Sequence, residues 1–66
     1  MKNRIRVARA EVRMTQQQLA EAIGVSRQTI NAIESGKFVP STVLALKMAQ
    51  IFENPVEEIF MLDDED

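Results

Sequence analysis

Apolar residues recur at intervals of three and four along most of the chain, in runs separated by glycine, proline and hydroxyl residues. That spacing predicts helices. The first covers about Lys2 to Arg13, with Ile5, Ala8 and Val12 on one face and Arg9 beside them. Thr15 reads as an N-cap: its hydroxyl can accept an amide of the next turn, and Gln18, three residues on, can reach back to close a capping box. A second helix then runs from Gln16 to Ile23, with Leu19, Ala20 and Ile23 inward, and Gly24 supplies the left-handed position that ends it. Only Val25 separates that glycine from Ser26, the next N-cap. Helix three, Arg27 to about Glu34, therefore follows through a tight turn and cannot lie parallel to helix two.

Gly36 ends helix three, and residues 37–40 read as a loop pinned by Phe38. Ser41 caps helix four, whose core stripe is Ala45, Met48, Ala49 and Phe52. Asn54 caps a short fifth helix from Pro55 to about Met61, with Glu57 and Glu58 complementing its N-terminal dipole. The expectation is an all-α, compact five-helix domain over residues 1–62, followed by a frayed acidic tail over 63–66. Val43, Leu44, Leu46, Ile51, Phe60 and Met61 exceed what one stripe of helices four and five can bury, which predicts a homodimer contact.

Composition narrows the chemistry. A chain of 66 residues buries only about 60% of its unfolded surface, so stability is thin. With no cysteine and no histidine there is no disulfide, no zinc site and no near-neutral base, and no cofactor or metal is expected. The acidic pairs Glu57-Glu58 and Asp63-Asp64 sit at a helix start and a tail, so an enzyme is not expected either. The four methionines read as core or surface filler. No apolar run approaches the ~20 residues of a membrane helix, and the first residues lack the apolar core of a signal peptide, so the cytoplasm is the expected location. The net charge of -2 hides a gradient: residues 1–37 carry seven Lys/Arg against three Glu, +4, and residues 38–66 carry one Lys against seven Asp/Glu, -6. Such a split favours a polyanion partner for the first half.

At about 100° per residue, Arg27, Gln28, Asn31, Ala32 and Ser35 share one face of helix three while Ile30 and Ile33 point the other way. The exposed face carries a guanidinium, two carboxamides, a hydroxyl and a methyl. Arg can donate two hydrogen bonds to guanine O6 and N7, Gln and Asn can pair with adenine N6 and N7, and a methyl can touch thymine. The same residues also suit an ordinary polar surface. Helix two opens with Gln16-Gln17-Gln18, whose free amides suit a phosphate, although glutamine is also simply a good helix former. Ser35, Gly36 and Lys37 offer further backbone and ammonium contacts to phosphate. The acidic end reads as a solvated tail, or as a device that repels DNA and trims non-specific binding.

The run Met14-Thr15-Gln16-Gln17-Gln18-Leu19-Ala20-Glu21-Ala22-Ile23-Gly24-Val25-Ser26-Arg27-Gln28-Thr29-Ile30-Asn31-Ala32-Ile33-Glu34-Ser35-Gly36-Lys37, followed by Pro40-Ser41, resembles the Cro/phage-repressor (Xre) type of helix-turn-helix regulator. The likeness covers residues 2 to 61. It implies a lambda-repressor-like domain that binds operator DNA, commonly as a dimer, in bacteria and phages. Mapped by motif, Gln16 would meet phosphate and brace Arg27; Arg27, Gln28 and Ala32 would face bases; Ser35 and Lys37 would meet the backbone. Thr15, Gln17, Ser26 and Asn31 complete the expected DNA-binding set. The resemblance also implies an ion pair between Arg9 and Glu34. Two positions depart from the family pattern: Arg13 replaces a common glycine after helix one, and Glu53-Asn54 replaces a common Gly-Val pair before helix five.

The function expected from these residues is sequence-specific binding of double-stranded DNA by a transcriptional regulator, a repressor since 66 residues leave no room for a ligand-sensing domain. It would work as a homodimer on an inverted repeat, associated with the nucleoid. The alternative is an antitoxin-like module that binds a protein partner and represses its own operon.

Overall fold

In the computed structural model, which describes all 66 residues, the chain runs β1 (Lys2–Asn3), α1 (Ile5–Glu11), α2 (Gln16–Ile23), α3 (Arg27–Glu34), α4 (Thr42–Phe52), α5 (Val56–Ile59) and β2 (Phe60–Met61). Local hydrogen bonds set most boundaries. The Thr15 hydroxyl accepts from Gln18 N at 3.0 Å and Thr15 N donates to Gln18 Oε1 at 2.9 Å, completing the capping box of α2. Ser26 and Ser41 cap α3 and α4 in the same way, accepting from Thr29 N and Leu44 N at 3.1 and 3.2 Å. Each satisfies an amide that the helix itself cannot pair.

Four helices end alike. Met14 N donates to Arg9 O, Val25 N to Ala20 O, Lys37 N to Ala32 O and Asn54 N to Ala49 O, so each chain turns back over its last carbonyls. This closure needs one left-handed residue per helix. Gly24 and Gly36 fill two of the positions, at φ 78° and 80°, but Arg13 and Glu53 fill the others at φ 56° and 54°. The departures noted in the sequence are thus a strained arginine and a strained glutamate.

Eleven apolar residues make one core: Ile5 and Ala8 of α1, Leu19, Ala20 and Ile23 of α2, Ile30 and Ile33 of α3, Met48 and Phe52 of α4, with Ile59 and Phe60 closing it. Every helix contributes, and no polar residue falls in the fully buried class.

The chain ends differ from the expected pattern. Helix one begins at Ile5, not Lys2, because Lys2 and Asn3 pair antiparallel with Met61 and Phe60, and Arg4 N donates to Ile59 O at 2.8 Å. Helix five stops at Ile59 rather than Met61, since Phe60 is extended at φ -120° and ψ 133° to make that pairing. The molecule therefore carries a small two-stranded sheet beside its five helices. Asn54 does not cap α5. Pro55 holds the N-cap position without a side-chain hydrogen bond. Val12, expected inward, lies past the end of α1 and is exposed. Phe60, expected at a surface patch, belongs to the core because its strand faces inward. The acidic stretch is folded back rather than frayed: the Met1 amino group lies 2.9 Å from Asp63 and 3.1 Å from Asp66. Hydrogen bonds to Asp63 and then Asp66 hold that amino group above its usual pKa, and the Asp63 amide holds the Asp66 carboxyl below its own. The first contribution fades as pH rises, the second as pH falls, and both are small at such exposed sites.

One ionic contact lies deeper. Arg9 donates from Nε to Glu34 Oε2 at 2.7 Å and from Nη2 to Glu34 Oε1 at 3.1 Å, while Nη1 donates to Met14 O at 3.0 Å. The Glu34 side chain is only 3% exposed and that of Arg9 15%. The ion pair implied by the resemblance is present, and it ties α1 to the end of α3. Asn3 adds a second tie, donating from Nδ2 to Ile33 O at 3.0 Å.

Two outcomes are expected. Glu53→Gly removes a left-handed side chain and should raise stability by about 1 kcal/mol, a gain of several degrees in Tm by circular dichroism; an unchanged or lowered Tm would show that no strain resides there. Arg9→Leu strands a buried carboxylate and should cost about 3 kcal/mol in urea unfolding, whereas Arg9→Leu with Glu34→Leu should recover most of the loss. Simple additivity of the two substitutions would contradict the pairing.

Candidate nucleic-acid interface

The two helices α2 and α3 are joined by three residues, Gly24, Val25 and Ser26. The isoleucines Ile30 and Ile33 fix the roll of α3 by pointing into the core, so its opposite side must face water. Arg27, Gln28, Asn31 and Ser35 are exposed there, and Ala32 is half-buried. The shared face read from the sequence is therefore present as one surface.

Its side chains are not independent. Glu34 Oε1 accepts from Gln16 Nε2 at 3.3 Å in addition to its bonds from Arg9. The same Gln16 Nε2 donates to Asn31 Oδ1 at 3.3 Å. With its amino group committed to two acceptors, the Gln16 carboxamide must turn its oxygen outward, where Arg27 Nη1 donates to it at 3.4 Å. A chain of contacts thus runs from the half-buried Arg9 to the exposed Arg27. Asn31 keeps Nδ2 unengaged, and Gln28 makes no side-chain hydrogen bond within the protein, so both retain donors for a ligand.

At the start of α2 the amides of Gln16 and Gln17 have no partner in the chain, because Gln18 N is taken by Thr15 and Leu19 N by the Thr15 carbonyl. Thr15 and Ser26 are exposed, but their hydroxyl oxygens serve as caps, and Ser26 Oγ also meets Thr29 Oγ1 at 3.0 Å. Gln17 is exposed beside them. Past α3 one expectation needs correcting. The amides of Ser35, Gly36 and Lys37 bond to Asn31, Ile33 and Ala32, so this turn has no free backbone donors to offer; the exposed Lys37 ammonium and the Ser35 hydroxyl, which donates to Ala32 O at 3.1 Å, are what remain.

Phe38 does not pin its loop to the core. It is 49% exposed and shares an open recess with Gln28, Thr29 and Ala32 on the flank of α3. A lone aromatic residue in a loop has no periodicity to tell which way it points. Elsewhere, Val43 and Leu46 of α4 are exposed together with Val39, whereas Leu44 and Ile51 are half-buried against the core and Met61 is half-buried. No point gathers three acidic, histidine or cysteine side chains as a metal would need, and no helix is long and apolar enough to cross a membrane.

Comparison with known proteins agrees with this geometry. The helix-turn-helix family model matches residues 5–59. An uncharacterized HTH-type transcriptional regulator of Bacillus subtilis is 45% identical over 65 residues, covering 98% of both chains. One of Methanocaldococcus jannaschii is 48% identical over the full length of both, and one of Archaeoglobus fulgidus is 47% identical over all of this chain and 94% of its own. The relatives thus extend to archaea, beyond the bacteria and phages that the resemblance implied. A three-residue turn between capped helices, a polar face on the second and matches of this extent all agree: the chain belongs to the helix-turn-helix transcriptional regulators of the Cro/phage-repressor (Xre) type.

Proposed function

We propose that the chain binds double-stranded DNA sequence-specifically, with α3 in the major groove, and acts as a repressor. The observation that carries this reading is the Gln16–Arg27 contact: a guanidinium that meets, at 3.4 Å, a carboxamide itself bonded to Glu34. A donor fork biased toward one orientation before binding loses less entropy on meeting guanine than a free one. Arg27, Gln28, Asn31 and Ala32 would read base edges. The Gln17 side chain and the free backbone amides of Gln16 and Gln17 would receive one phosphate, with Thr15 and Ser26 holding the two helix starts in position. Ser35 and Lys37 would meet the backbone on the other side of the groove.

A homodimer on an inverted repeat fits the exposed apolar strip of Val39, Val43 and Leu46, which a second copy would cover. The same strip would equally serve an antitoxin-like contact with another protein, in which case the selected DNA sites would lack two-fold symmetry. DNA binding would place the protein in the cytoplasm, at the nucleoid.

Selection from random duplexes, followed by titration of the recovered site, tests the assignment. Binding should weaken with salt at a log-log slope of about -0.9 per phosphate contacted. Arg27→Ala should relax preference at one base pair per half-site at a cost of about 1–3 kcal/mol, and Lys37→Ala should weaken every sequence alike while lowering the salt slope by about one. Equal loss of specificity in both variants would overturn the division between base and backbone contacts.

A further inference from the structure

Only three residues of the chain are aromatic, all phenylalanine, and two of them, Phe52 and Phe60, lie in the core at 5% and 7% exposure. The third, Phe38, is 49% exposed. Its backbone is nonetheless well held: Lys37 N and Phe38 N both donate to Ala32 O, at 2.9 and 3.2 Å, which fastens the loop to the last turn of α3. A half-exposed aromatic ring on a fastened backbone loses little entropy on contact with a ligand. Phe38, Ala32, Thr29 and Gln28 line an open recess of about 290 Å³.

Position decides what such a recess can take. Two of its four lining residues, Gln28 and Ala32, also belong to the polar face of α3, so the recess opens at the edge of that face. Gln16 and Arg27 lie on the α2 side of the helix; Phe38 bounds the other side. Lys37 precedes it and keeps this edge electropositive, which disfavours a cationic occupant and favours a polyanion such as DNA. The major-groove edge of DNA carries one apolar group that varies with sequence, the C5 methyl of thymine.

We propose that Phe38 and Ala32 form a methyl-reading recess that selects a thymine, or any pyrimidine bearing a C5 methyl, next to the base pair contacted by Gln28. The inference rests on the DNA-binding reading above and adds to it a residue outside the helix-turn-helix. Phe38 thereby determines specificity by apolar contact, without a hydrogen bond.

The test replaces each thymine of the selected site, one at a time, with deoxyuridine, which lacks only the methyl, and measures affinity by fluorescence anisotropy at constant salt. For the wild-type protein one position per half-site should lose about fourfold, the worth of one buried methyl-sized group. Phe38→Ala should bind that site with no deoxyuridine penalty at that position while keeping the wild-type preference at the Arg27 base pair. Phe38→Leu, which retains apolar bulk, should keep part of the penalty. Cytosine placed there should bind more tightly when 5-methylated, in the wild type alone. A deoxyuridine profile identical in wild type and Phe38→Ala would overturn the proposal, as would a selected site with no methyl-sensitive thymine. Failure to enrich any duplex is a different result, and sinks the DNA-binding reading itself.

Discussion

The structure depends on a carboxylate withdrawn from water. Glu34 ends α3 with its side chain almost wholly covered, and a buried charge is tolerated only where opposite charge and hydrogen bonds replace its hydration. Arg9 supplies both through two parallel N–H donors. Because Arg9 sits on α1 and Glu34 on α3, satisfying that charge fixes the distance between the first and third helices. The remaining accepting capacity of Glu34 reaches Gln16 on α2, so three helices meet at one carboxylate. Apolar packing brings these helices together; the ion pair specifies how they sit.

That arrangement has consequences at the surface. Gln16 cannot rotate freely while its amino group serves Glu34 and Asn31, and its oxygen is the group that Arg27 contacts. The positional order of a buried pair is thereby passed through one carboxamide to an exposed guanidinium. The charge gradient along the sequence works in the same direction. The positive half contains α1 to α3 and the turn after them, and the negative half contains α4, α5 and the C-terminal acidic residues, so an approaching polyanion is favoured at one part of the molecule and repelled at another.

Much of this was legible in the residues. Thr15 with Gln18, Gly24 and Ser26 locate α2, the turn and α3, because caps and left-handed glycines are local rules that tertiary packing left intact. Ile30 against Arg27 and Asn31 gave the face of α3 by helical period alone. The ends were not legible. Lys2-Asn3 and Phe60-Met61 are too short to show alternation, and their pairing joins positions almost a full chain length apart. A local rule cannot anticipate that Phe60 turns inward or that the helix stops one residue before it. Phe38 was misread for a related reason: a lone aromatic in a loop carries no period, and its direction is set by the Ala32 carbonyl that receives the amides around it. The free amides expected after α3 were lost to the same closure.

The central claim is that the polar side of α3, held by Glu34 through Gln16, is the surface that meets DNA. Amide chemical-shift mapping by nuclear magnetic resonance, during titration with the selected duplex, tests it most directly. The account predicts that the large shifts cluster at residues 15–17 and 26–38, while α4 and α5 change little in a protein that is dimeric before DNA is added. Shifts concentrated on α4 and α5, with Gln16, Arg27 and Gln28 unmoved, would contradict it.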